Sequence, residues 1–128
     1  MHRKAVTPKD MFAAGPYSHA VWAPAGGAHL FLSGKTGTDS AGKLVGPGIT
    51  EQTRQTFANL KLVLEVAGLS FAKVVKCNVY LTDMADFAAM NAVYAEQFEA
   101  PNPARTTVAV AALPGGAKVE IEMVAVNA

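Results

Sequence analysis

Lys73-Val74-Val75-Lys76-Cys77-Asn78-Val79-Tyr80-Leu81 sets Val75, Cys77, Val79 and Leu81 against Val74, Lys76, Asn78 and Tyr80. That period of two is the signature of a strand buried mainly on one face. Helical spacing flanks it on both sides. Upstream, Ile49, Thr53, Phe57, Leu60, Leu64 and Ala67 form one stripe, with Thr50 placed to cap it, Glu51 in its first turn and Gly68 to stop it. Downstream, Thr82 or Asp83 is placed to cap a second helix carrying Phe87, Met90, Tyr94 and Phe98 along one side, ended by Pro101 and Pro103. Both helices read as four to five turns long, on the order of a typical globular helix.

Working outward, residues 20–24 and 29–33 read as two strands paired around the Gly26-Gly27 turn. Residues 33–48 are rich in glycine and form a loop or a wide hairpin. Residues 105–112 and 118–126 close the chain as a second hairpin around Leu113-Pro114-Gly115-Gly116-Ala117. The order ββ-α-β-α-ββ predicts an α+β fold, a mostly antiparallel sheet with two helices packed on one face. With 128 residues, positions 1–128 form a single domain. The other sheet face then needs cover, and the positive mean hydropathy of so short a chain points to burial against further subunits. Three protomers around a common axis would satisfy this, although periodicity does not count subunits.

Composition narrows the function. Apolar residues make up 51% and charged ones 16%, which excludes a disordered chain. A net charge of +1, with no run of three Lys or Arg, disfavours nucleic acid as a partner. The one basic spot, His2-Arg3-Lys4, reads as a frayed end. A single cysteine, Cys77, allows no intrachain disulfide and no thiolate metal site, and His2, His19 and His29 lack metal-ligand spacing. No apolar run reaches the ~20 residues of a membrane span, and no signal peptide precedes the first polar residues. The expectation is a cytoplasmic protein without cofactor, metal or membrane partner.

The chain has no G-x-S-x-G, no G-x-G-x-x-G and no P-loop. What remains are polar residues near predicted strand ends: Tyr17, Ser33, Arg105 and Glu120. Arg105 opens an otherwise apolar strand, where a guanidinium must find an anion. The anion is either an internal carboxylate, Glu120 or Glu122, or the carboxylate of a ligand gripped by the planar fork. Glu120 and Glu122 share one strand face, which is either a solvated face or the wall of a pocket with one carboxylate as general base. In a terminal hairpin Arg105 would sit opposite a residue near Ala125, about five rungs or roughly 16 Å from Glu120 at ~3.3 Å per residue. A site using both would have to form across a subunit interface.

Tyr17 follows the Gly15-Pro16 turn and either faces a cleft or packs as an ordinary tyrosine. Ser33-Gly34 ends a strand, offering a plain turn or a backbone N–H to a ligand oxygen. Asn91 lies on the inner side of the second helix, as a ligand contact or a satisfied core amide. Cys77 reads as a small buried hydrophobe.

Gly15-Pro16-Tyr17-Ser18, Ser33-Gly34, Glu51 to Gln55, Asn59-Leu60, Val74-Val75-Lys76 to Thr82-Asp83-Met84, Phe87, Asn91 to Tyr94, Pro103-Ala104-Arg105 and Val119-Glu120-Ile121-Glu122 together resemble the RidA/YjgF family, in order and at family spacing. The resemblance implies a chorismate-mutase-like α+β fold and a homotrimer with pockets between subunits. It also implies deamination of 2-iminobutanoate and 2-iminopropanoate, the products of pyridoxal-phosphate-dependent dehydratases. By resemblance Arg105 clamps the carboxylate, Glu120 positions water and Tyr17 walls the pocket, with Ser33, Gly34, Asn91 and Thr107 among the substrate contacts. Arg105 would pin C2, water held by Glu120 would add there, and collapse of the carbinolamine would release ammonia and a 2-oxo acid.

Three positions depart from the family pattern. His19 and Lys35 stand where glutamine is usual, and Thr107 replaces a cysteine found in some members. Lys35 either adds charge at a pocket mouth, favouring a dicarboxylate or longer substrate, or faces solvent. The alternatives are a paralogue acting on 2-aminomuconate or aminoacrylate, and a non-catalytic sensor of 2-oxo acids. The ribonuclease label carried by some members is disfavoured by the near-neutral charge.

Overall fold

Helix α1 (Ile49–Val66) begins where the Glu51 carboxylate accepts the Gly48 N–H at 2.7 Å, closing the helix start with a negative charge in its first turn. Gly48 is therefore the capping position, and Thr50, expected there, lies inside the first turn. Gly68, at φ +75°, ends the helix, with Leu69 N–H returning to Leu64 O at 2.8 Å. Thr53, Phe57, Leu60 and Leu64 are buried as their spacing predicts, joined by Gln52 and Thr56, whereas Ala67 is exposed.

The structure, a computed structural model, describes residues 3–12 and 15–128. Its strands are β1 (Lys4–Val6), β2 (Ala20–Trp22), β3 (Ala28–Lys35), β4 (Val74–Leu81), β5 (Ala104–Ala109) and β6 (Val119–Asn127). One sheet has the order β3-β6-β4-β5, and a separate ribbon pairs β1 with β2. Pairs β3–β6 and β6–β4 are antiparallel and β4–β5 is parallel. The α+β class and the mostly antiparallel sheet are as expected, but the pairing corrects both predicted hairpins.

Strand β2 pairs with β1, not β3. The terminal strands do not pair either. Residues 113–117 carry a 3-10 turn (Pro114–Gly116), Thr82 N–H bonds Lys118 O, and β4 lies between β5 and β6. Helix α2 (Phe87–Ala95) is the crossover that makes β5 parallel to β4. Alternation reveals that a strand has a buried face but not which strand lies beside it. Helix α2 is also shorter than its apolar stripe suggested: a 3-10 turn (Met84–Asp86) precedes it, where Asp83 caps Ala85 N–H at 2.9 Å, and Phe98 lies beyond its end.

A register irregularity between Val74 and Lys76 turns Val74 rather than Val75 into the core. Beyond it, Cys77, Val79 and Leu81 pack with Ile121, Met123 and Ala125 beneath the helices. Phe57 meets Phe71, Tyr94 and Phe98 edge-on, with ring centroids 5.6–6.1 Å apart. On the opposite sheet face Phe31 and Val108 are exposed. The expected frayed end is corrected as well: Arg3 is buried and Lys4 begins β1, while His2 lies outside the described residues.

Candidate active site

Arg105 lies one residue inside β5, level with Cys77 of β4, which is in turn level with Met123 of β6. Cys77 and Met123 face the helices, so the Arg105 side chain rises on that side at the sheet edge. There its Nη1 donates to Asn91 Oδ1 of α2 at 2.6 Å. Aromatic rings flank the guanidinium, with Cζ 4.7 Å from the Tyr94 centroid, 5.5 Å from Tyr17 and 5.6 Å from Phe87. Burial lowers its pKa from the ordinary arginine value, and an arginine so placed still carries its charge at any working pH. No carboxylate among the described residues pairs with it.

The Tyr17 loop is laced onto the residues leading into β5. Tyr17 N–H bonds Gly15 O at 2.8 Å, Ser18 N–H bonds Pro103 O at 3.1 Å, and Ser18 bridges to Ala104. A methyl at Gly15 would touch Arg105 Nη2 and Asn91 Nδ2, each at 3.4 Å, so the loop passes closely over the guanidinium. A cavity of about 270 Å³ opens here, lined by Tyr17, Phe87, Arg105 and Thr107.

Buried polar atoms are almost always hydrogen-bonded. Among the described residues three buried side-chain atoms stand out: His19 Nε2 and Thr107 Oγ1 have no partner, and Tyr94 Oη has only the weakly bonding Cys77 thiol beside it. All three surround Arg105. Thr107 lines its cavity, the Tyr94 ring lies beneath it, and His19 packs edge-on against Tyr17 at 5.8 Å. The Cys77 thiol, completely buried, is pushed up to about 12, which removes it as a nucleophile.

Tyr17, Asn91, Arg105 and Thr107 therefore come together, while Ser33, Gly34 and Glu120 do not join them. Glu120 is three residues from Met123, an odd step, and so stands on the opposite sheet face. Two strand spacings and three residues put its Cα about 14 Å from that of Arg105. The expected β5–β6 hairpin pairing is absent, yet the two groups are held apart by β4 and by the sheet itself. Glu122 shares the open face, where it accepts from Tyr80 Oη and, at 3.3 Å, from Asn78 Nδ2. That bond raises the Tyr80 pKa. Neither glutamate is the internal partner considered for Arg105. Lys35 ends β3 opposite Ile121, on the far side of the sheet from β5, so within one chain it is not at this cavity.

Glu120 rests over the β3 irregularity at Ser33-Gly34. A methyl at Gly34 would lie 2.4 Å from Glu120 Oε2 and 2.8 Å from its Cδ. The carboxylate tip is the movable part, so Gly34→Ala should fold while Glu120 leaves this position. A crystal structure of the variant checks this, and an unmoved Glu120 would contradict it.

Phe87 and Tyr94 were legible only as a core stripe. The available signal was Asn91, a polar residue in helical register between them.

Among the described residues no three His, Cys, Asp or Glu side chains gather as a metal site requires. No helix among them is long and apolar enough to cross a membrane.

A family model described as Endoribonuclease L-PSP matches residues 7–127. A 2-iminobutanoate/2-iminopropanoate deaminase of Capra hircus is 44% identical over 122 residues, covering 94% of this chain and 87% of that protein. A crystal structure of YyfB from Yersinia pestis, described as a protein of unknown function of the conserved Rid family, superposes with TM-score 0.89 at 34% identity, covering 99% of this chain and 100% of that one. E. coli TdcF with bound serine superposes with TM-score 0.75 at 36% identity, covering 91% of each chain.

Proposed function

The chain belongs to the endoribonuclease L-PSP family, and from that premise we propose that it is a 2-iminobutanoate/2-iminopropanoate deaminase, hydrolysing short 2-imino acids to 2-oxo acids and ammonia. The observation that carries this reading is Arg105: a half-buried, partly desolvated guanidinium, framed by aromatic faces, bonded to one neutral amide and open to a small cavity. Such a cation is complementary to a ligand carboxylate. The cavity suits a few carbon atoms beside the charged head, and serine bound to a relative is a ligand of that size.

Asn91 orients the fork, and the rings of Tyr17, Phe87 and Tyr94 prevent it from swinging. The carboxylate on Arg105 then fixes C2 of the imino acid. Water adds to C2 as its proton passes to a carboxylate. That proton passes to the imine nitrogen, completing the neutral carbinolamine; the carboxylate then relays the hydroxyl proton to the amino nitrogen, the C–N bond breaks, ammonia leaves and the carbonyl forms. Positioning and one proton relay are sufficient for so reactive an imine. Glu120 is the base assigned here, and because it faces away from Arg105 in its own chain it serves the Arg105 of a neighbouring copy. The working form is accordingly a homotrimer with the pocket between subunits, which would run at about 40 kDa, three times the 13.3 kDa chain, in multi-angle light scattering.

The test couples a threonine dehydratase to this protein and follows 2-oxobutanoate. Faster appearance of the oxo acid than the dehydratase alone allows supports the reading; no acceleration with any short imino acid sinks it. The separation of Arg105 from Glu120 favours one second reading, a carboxylate-binding sensor without catalysis. It would show thermal stabilisation by 2-oxobutanoate and no acceleration.

A further inference from the structure

Arg3 is only 6% exposed, although it stands at the start of the described chain. Its Nη1 donates to Phe71 O at 3.2 Å, Ala72 O at 2.9 Å and Val74 O at 2.9 Å, and its Nη2 to Glu99 O at 3.1 Å. Its Nε donates to Pro101 O, and its Cζ stacks on Phe98, 5.6 Å from the ring centroid. No carboxylate takes part. A buried cation held only by carbonyl dipoles is costly unless its donors find acceptors, and here Nε, Nη1 and Nη2 all donate.

The acceptors belong to two segments, one entering β4 and one leading to β5. Directly after Glu99 and Pro101, Asn102 O accepts from Ser18 Oγ and Pro103 O from Ser18 N–H. Arg105 is two residues further on. The segment 99–103 is thus gripped at one end by Arg3 and at the other by Ser18. Strand β1 follows Arg3 and pairs with β2, which follows His19, in the register Lys4↔Trp22 and Val6↔Ala20. Arg3, the β1–β2 ribbon, the Tyr17 loop and the lead into β5 form one closed circuit of contacts that reaches the Arg105 cavity through Tyr17.

We propose that Arg3 is a positioning residue for the Arg105 cavity, its carbonyl-held guanidinium locking segment 99–103 and the β1–β2 ribbon so that Tyr17 stays closed over Arg105. The binding arm of its test rests on the reading of that cavity as a carboxylate site; the exchange arm does not.

Arg3→Ala should weaken 2-oxobutanoate binding, measured by titration calorimetry, by about five- to tenfold, the usual scale of coupling through packed contacts. Backbone hydrogen exchange should rise in 15–22 and 99–105 while α1 keeps its protection. Low-millimolar guanidinium chloride, too dilute to unfold proteins, should restore both in Arg3→Ala by refilling the carbonyl cage and leave the wild type unchanged. Arg3→Lys, which keeps the charge with fewer donors, should show the same pattern more weakly and serves if Arg3→Ala does not fold. Leu64→Ala, a core deletion in α1, is the comparison for plain loss of stability. The proposal is overturned if exchange rises uniformly or only in 3–6 and 71–74, or if Leu64→Ala weakens binding as much. If the wild type does not bind 2-oxobutanoate, the carboxylate reading falls and the exchange pattern alone decides the role of Arg3.

Discussion

Arg105→Ala is expected to lower kcat/KM for 2-oxobutanoate formation by ~10²–10³, with activity approaching spontaneous hydrolysis. A charge-assisted pair between a desolvated fork and a carboxylate is worth about 3–4 kcal/mol when one partner is removed, and each ~1.4 kcal/mol is tenfold. The fold should survive, because Arg105 lies on the edge strand β5 and is only half-buried, with Asn91 as its hydrogen-bond partner. Circular dichroism and thermal melting establish that. Arg105→Lys keeps the charge but loses the planar fork and its stacking, so it should fall between the two. Coupled kinetics with the dehydratase provide the measurement. A variant Arg105→Ala that still accelerates oxo acid release would remove Arg105 as the clamp.

Glu120→Gln should be nearly as severe in turnover but mild in binding, since the amide keeps the shape and loses the proton relay; general base catalysis contributes typically ~10²–10⁴ in rate. Binding of 2-oxobutanoate should stay close to wild type, which separates this variant from Arg105→Ala. The two inactive variants then test where the site is built. If Arg105 of one subunit works with Glu120 of the next, each mixed trimer regains one intact site, and random assembly of a closed ring makes about a quarter of all sites intact. Refolding equal amounts of the two variants together should therefore recover roughly that share of activity. If both residues act within one chain, no mixture recovers anything. Zero recovery in a proven mixed oligomer would refute the shared site.

Much of the fold was legible because local rules decide it. The α1 stripe, the Gly68 stop and the alternation in β4 and β6 follow from side-chain period and backbone freedom. The neighbours of each strand were not legible. Residues 105–112 and 118–126 looked like a hairpin because they are consecutive, whereas β6 pairs with β4 and β5 reaches β4 by a crossover. The same gap hid Arg3. In sequence it is one member of a basic triplet, and only the meeting of segments 71–74 and 99–101 creates the carbonyls that bury it.

At the site, residue chemistry singled out Arg105, Tyr17 and Asn91, because a guanidinium opening an apolar strand and an amide in an apolar helix stripe each demand a partner. That Arg105 is paired with Asn91, framed by Tyr17, Phe87 and Tyr94, and separated from Glu120 by the sheet could be decided only by tertiary structure. Side-chain type and period are properties of a few neighbouring residues, so the sequence by itself determined the α1 segment, the presence but not the length of α2, the alternating strands and the clamp candidate. Strand order, sheet face and the company each side chain keeps depend on contacts between residues far apart in the chain, and these arise only when the whole core closes.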